Sequence, residues 1–145
     1  MQTPPKSFPA PETALRFDLT HELRNHLPVL QIKGGLTDAG WLQVAEACAR
    51  LTGPLRVLDF SGVTHCKTTS EDAASFARQL AREKAATPDR PSYVLIAPGD
   101  LLFGLCRVIQ MNLDMARMKA CVSRSVAAAT RWLEQENLLP IPPAI

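Results

Sequence analysis

The stretch VLDFSGVTHCKTTSED, residues 57–72, decides how this chain folds. With Leu55 and Arg56 it opens on LRVLDF, where apolar residues do not alternate cleanly with polar ones. Apolarity on both faces of so short a run marks a central strand covered from both sides. The strand is expected to end at Phe60, in a loop crowded with Ser61, Thr64, Cys66, Thr68 and Thr69. Ser70 then stands where a helix cap is wanted. Glu71 and Asp72 follow, and their charges suit the positive end of a helix dipole.

Further along the chain, SYVLIAP (92–98) has the same character, and KACVS (119–123) is a shorter candidate. Upstream, LRFDLT (15–20) alternates, with Leu15, Phe17 and Leu19 opposing Arg16, Asp18 and Thr20. After a turn near Asn25, PVLQIKGG sets Leu30 and Ile32 against Gln31 and Lys33. These two runs predict a hairpin at one edge of a sheet. Helices fill the gaps. Asp38 can cap one with a stripe of Trp41, Val44, Ala45, Cys48 and Leu51, and Ser70 a second with Ala73, Phe76, Ala77 and Leu80. Asp100 can cap a third, and Ser123 or Ser125 a fourth containing Val126, Ala129, Thr130 and Leu133. The order β-β-α-β-α-β-α-β-α predicts an α/β domain. Its five-stranded sheet is mixed but mostly parallel, with only the first hairpin strand antiparallel.

At 145 residues the chain suffices for one domain with a real core. A net charge of +2, with both signs interspersed, lacks the clustered basic face a nucleic-acid partner needs. Cys48, Cys66, Cys106 and Cys121 form no C-x-x-C pair and read as free thiols. The N-terminus has no apolar signal core, and Leu101–Met115 is too short and too interrupted, by Arg107 and Asp114, to span a bilayer. A cytoplasmic location is the expectation. Seven of the twelve prolines lie in the two ends, so residues 1–13 and 138–145 are expected to be extended tails around a domain at 14–137.

Three stretches, RVLDFSGVTHCKTTSEDAASFA, SYVLIAPGDLLFGLCRVIQ and SVAAATRWLEQ, resemble the sulfate-transporter and anti-sigma-factor antagonist (STAS) domains, and more narrowly their SpoIIAA-like branch. The likeness covers most of Leu30–Glu136. It implies a small cytoplasmic domain without enzymatic chemistry that works through regulated protein contacts, in a superfamily that also has ligand-binding members. In the antagonists a kinase phosphorylates the first of two hydroxyl residues that follow an Asp. Aligned by the strand, Thr68 and Thr69 are those residues, but Lys67 replaces the Asp and Ser70 stands where Gly is usual. A phosphate on Thr68 would also face Glu71 and Asp72 across a single helical turn. The expectation is therefore that Thr68 is not a phosphorylation switch.

Other chemistry finds little footing. There is no G-x-G-x-x-G after a strand, no Walker loop, no H-E-x-x-H and no G-x-S-x-G. His65 and Cys66 are adjacent, which on an extended segment points imidazole and thiol to opposite sides. No spacing suggests a metal, and neither a cofactor nor catalytic residues are expected. A ligand rim beyond the carboxyl ends of the strands would draw on Asp59, Ser61, Thr68, Asp100, Ser123 and Arg124. The third helix, DLLFGLCRVIQMNLDMARM, is the most unusual element. Leu102, Leu105, Cys106, Ile109 and Leu113 make a sufficient core stripe, leaving Leu101, Phe103, Val108, Met111 and Met115 outside it. Phe103, Val108, Met111 and Met115 are therefore expected to form a contact surface. The function this supports is a non-catalytic interaction module, self-associating as a homo-oligomer, most simply a dimer. The rival is a domain that binds a small apolar molecule or lipid around the third helix.

Overall fold

The computed structural model describes residues 17–24, 27–51, 53–85 and 91–136. Both expected proline-rich tails, and Ala14, Leu15 and Arg16, lie outside the described residues. The elements follow in the order β1 (Phe17–Arg24), β2 (Leu27–Thr37), α1 (Asp38–Ala49), β3 (Leu55–Lys67), α2 (Ser70–Ala85), β4 (Ser92–Ile96), α3 (Asp100–Met115), β5 (Ala120–Ser123) and α4 (Val126–Gln135). The strands lie side by side in chain order. β1 pairs antiparallel with β2, and every later pairing is parallel. The α/β reading with one antiparallel hairpin strand holds, although β1 runs beyond Thr20 to Arg24.

Sequential order dictates where the helices go. Each crossover from β2 to β5 steps one strand in the same direction, and crossovers of one hand then place α1, α2 and α3 on a single face. The packing agrees. Trp41, Val44 and Cys48 of α1, Phe76 and Leu80 of α2, and Leu105, Ile109 and Leu113 of α3 share one cluster with Ile32, Leu58, Phe60 and Leu95 of the sheet. On the opposite face, among the described residues, α4 supplies Ala129 and Leu133, against Val29, Val57, Val94 and Ile96. Leu55–Phe60 is buried at every position because both faces are covered there. Each large apolar side chain removed from water contributes about 1.5–3 kcal/mol.

Two sequence expectations are corrected at this level. First, β3 does not end at Phe60 but continues to Lys67, so only Thr68 and Thr69 remain as the turn into α2. Its polar second half is a strand because β2 is long enough to pair with it, from Lys33↔Gly62 to Thr37↔Lys67. Second, three of the expected caps move by one residue. Thr37 and Gly99 occupy the N-cap positions of α1 and α3, without side-chain cap bonds, and Asp38 and Asp100 begin those helices. Thr69, not Ser70, caps α2. Ser125 caps α4, its hydroxyl accepting from the Ala128 N–H at 3.1 Å, while Ser123 ends β5. Of the residues named for α4, Ala129 and Leu133 are buried and Val126 is exposed.

The long β3 matches the shorter β2 only through two register shifts, between Gln31 and Lys33 and between Gly34 and Gly35. Gly62 sits at the first, where an added Cβ would come within 2.8 Å of Lys33 Cγ. Gly34 sits at the second with φ of 84°, a left-handed conformation that costs other residues about 1–2 kcal/mol. Gly34→Ala should therefore lose about 1–2 kcal/mol of stability in urea unfolding. An unchanged midpoint would mean that this register does not depend on Gly34.

Candidate functional site

From Phe60 onward, β3 runs on beside β2 alone among the described residues. β4 pairs with Leu55–Asp59 and no further. At that limit the buried Asp59 turns its carboxylate onto the following backbone, accepting the Ser61 N–H at 2.9 Å. Ser61–Lys67 then projects as an arm beside the start of α3. Between arm and helix lies an open cleft of about 300 Å³, lined by Phe60, Ser61, Val63, Thr64, His65 and Cys66 on one side and by Pro98–Leu102 on the other.

The arm's far end is tied to the core. Trp41 packs against Phe60 and Phe76, with ring centroids 5.8 and 4.7 Å apart, while its indole N–H donates to the Thr68 hydroxyl at 2.7 Å. Thr68 in turn donates to Asp72 Oδ2 at 3.1 Å. Thr69 and Asp72 close a reciprocal capping box: the Thr69 N–H donates to Asp72 Oδ2 at 3.0 Å, and the Asp72 N–H donates to the Thr69 hydroxyl at 3.1 Å. The Asp72 carboxyl is held below the usual carboxylate range, first by the Thr69 backbone, then by the Thr69 and Thr68 hydroxyls. The Thr68 hydroxyl thus both accepts and donates, and a phosphate there would remove the proton it gives to Asp72 and confront that carboxylate. Lys67 is exposed at the end of β3.

The expected rim is divided rather than convergent. Ser61 and Asp100 line the cleft, whereas Thr68 belongs to the Trp41–Asp72 network. Arg124 forms an exposed ion pair with Asp100 at 2.7 Å, donates to the Pro98 carbonyl at 3.1 Å and lies 4.2 Å over the Phe103 ring. That cation binds two turns together; an exposed pair adds little stability by itself. Ser123 is buried at the end of β5, with its Oγ 3.4 Å from Cys121 Sγ. His65 is exposed with Nδ1 3.2 Å from the Thr64 hydroxyl, while Cys66 packs against the core and burial pushes its thiol up.

The α3 surface is also redrawn. The five expected core residues are the buried ones. Met111 and Met115 are exposed, together with Leu101, at 60%, 79% and 61%. Phe103 and Val108, expected to join them, are half-buried and pack against the core, Phe103 beneath Arg124. One polar cluster went unseen in the sequence. Arg56 is buried with Nη1 donating to the Gly53 carbonyl at 2.5 Å, and its Nε, Tyr93 Oη and Glu83 Oε1 are buried without a partner among the described residues. An arginine inside LRVLDF gives no outward sign that its strand is covered on both faces.

Among the described residues no three His, Cys, Asp or Glu side chains come together as a metal-binding group, and no helix is long and apolar enough to cross a membrane. The chain matches no known protein family, no curated protein and no solved structure.

Two outcomes are expected of the Thr68 network. Phosphopeptide mapping of protein from its native cell should find Thr68 unmodified, and substantial occupancy would contradict this reading. Because the folded pKa of Asp72 lies below its unfolded value, its contribution is present above about pH 4 and is lost as pH falls through the folded value. Asp72→Asn should therefore be less stable than the wild type near neutrality, with the difference shrinking in acid. A difference in urea midpoint that stays constant with pH would show that the ionised carboxylate is not what holds the turn.

Proposed function

We propose that this protein is a non-catalytic, STAS-like regulatory module that acts through protein contacts and pairs with a second copy of itself. The observation that carries the reading is the outer face of α3. Leu101, Gly104, Val108, Met111 and Met115 recur at alternating steps of three and four, the spacing of a helix–helix seam. Leu101, Met111 and Met115 stand largely in solvent, and a Cβ placed on Gly104 would meet none of the described residues within 4 Å. A partner helix could approach the backbone closely there, and methionine adapts its shape to what it meets. Arg107 and Asp114, both exposed, flank the seam, so an antiparallel pair of α3 helices can set opposite charges against each other. A two-fold contact of this kind needs only one patch, which favours a copy of the same chain as occupant.

The STAS assignment draws support from the hairpin followed by parallel strands in chain order, with three connecting helices on one face. The non-catalytic reading draws on the cleft, where burial pushes the Cys66 thiol up and the exposed His65 has its Nδ1 beside the Thr64 hydroxyl. The proposed location is the cytoplasm.

Native mass spectrometry of the purified protein should give a dimer. Replacing Met111 and Met115 with Ser should yield monomer with an unchanged far-UV circular dichroism spectrum, because neither side chain belongs to the core. A monomeric wild type would refute self-association, and retained small-molecule mass lost with the same substitutions would favour the ligand-binding rival.

A further inference from the structure

We propose that the arm of β3 is a docking edge for an extended peptide from a protein partner, which adds as a strand in the line that β4 leaves vacant. The site shares only Leu101 with the α3 seam and does not depend on Met111 or Met115.

A strand inside a sheet offers N–H and C=O groups to both neighbours. Over Val57–Asp59 both sets are used, by β2 and β4. From Gly62 to Lys67 only β2 is paired with β3 among the described residues. The Asp59 carboxylate takes the Ser61 N–H and so closes the β3–β4 ladder, and the open edge begins immediately beyond it. Six residues at about 3.3 Å each make an edge of about 20 Å, the length of an ordinary short strand.

A bare edge is not a binding site, because every open sheet has two. This one differs in what lies beside it. After Ile96 the chain turns away through Pro98 and Gly99 into α3, and the about 300 Å³ cleft occupies the space that a longer β4 would fill. Phe60, Val63, Leu101 and Leu102 give it apolar walls, with Ser61, Thr64 and Asp100 as polar ones. Strand addition needs these two components: main-chain groups supply affinity, and a pocket for an alternate side chain supplies selection. An extended peptide bearing a large aliphatic or aromatic residue meets both.

The two register shifts also favour a short peptide over a second copy of the sheet. Bulges twist an edge and limit how far another sheet can pair with it, as is usual where edge-to-edge aggregation must be avoided. A single flexible strand can follow that twist. The end of the arm is held in place before any partner arrives, by Trp41 on Thr68 and by the capping box at Thr69, which reduces the ordering cost of binding.

The test uses the full-length protein and a phage-displayed library of random dodecapeptides. Enriched sequences should share one large apolar residue and bind as synthetic peptides with micromolar Kd. In ¹⁵N-labelled protein they should shift the amides of Ser61–Lys67 and Gly99–Leu102. Methylating alternate peptide nitrogens along one edge should abolish binding, since those donors face the arm. Gly99→Trp should weaken binding at least tenfold by filling the cleft; Gly99 has φ of −83° and open space where a side chain would begin, so the fold tolerates the change. The double Met111→Ser, Met115→Ser variant should bind as the wild type does, which separates this site from the α3 seam. The proposal is overturned by a library that enriches nothing, by peptides whose shifts map elsewhere, or by affinity indifferent to N-methylation. It is equally overturned if the arm's amides shift with protein concentration alone, because a second copy would then be the occupant.

Discussion

The structure depends on one inequality: β3 is thirteen residues long and β4 is five. Over the shared length, β3 is the axis of the fold, covered by three helices on one face and by α4 on the other. Past Asp59 the same strand has a neighbour on one side alone among the described residues. The fold's rigid part and its candidate site are therefore successive halves of a single strand. The arm can project only because β2 accompanies it, and β2 keeps pace only through the two bulges.

What holds the arm is a small set of polar bonds around an aromatic group. Trp41 fills the space between Phe60 and Phe76 and spends its indole N–H on Thr68. Thr68 passes that constraint to Asp72, whose carboxylate also fixes the Thr69 N–H. One side chain thus links helix α1, the end of β3 and the first turn of α2. This arrangement is a physical reason for Thr68 to be structural: its hydroxyl is already spent on holding a turn in place.

Much of this was legible in the sequence, and the failures share a cause. The hairpin, the parallel order and the core stripes of α1, α2 and α3 came from periodicity, which reports burial directly. The extent of β3 did not. SGVTHCK is polar and contains Gly, and a strand paired on one edge and solvated on the other carries no apolar signature. Its conformation follows from pairing with β2, which is not a local property. Caps shifted by one residue for a related reason: Asp38, Ser70 and Asp100 are good cap residues that instead begin their helices. Phe103 and Val108 were assigned to the surface by helical angle, yet Phe103 is sheltered by Arg124, a residue twenty-one positions away that no helical wheel contains.

The central claim is that Gly62–Lys67 is a strand hydrogen-bonded to β2, with its other edge open. Amide hydrogen exchange of the wild-type protein, read residue by residue by NMR, tests it most directly. The account predicts a division within the segment, with the amides that donate to β2 exchanging slowly and those on the open edge exchanging fast. Uniformly fast exchange from Ser61 to Lys67 would restore the polar loop and contradict the account.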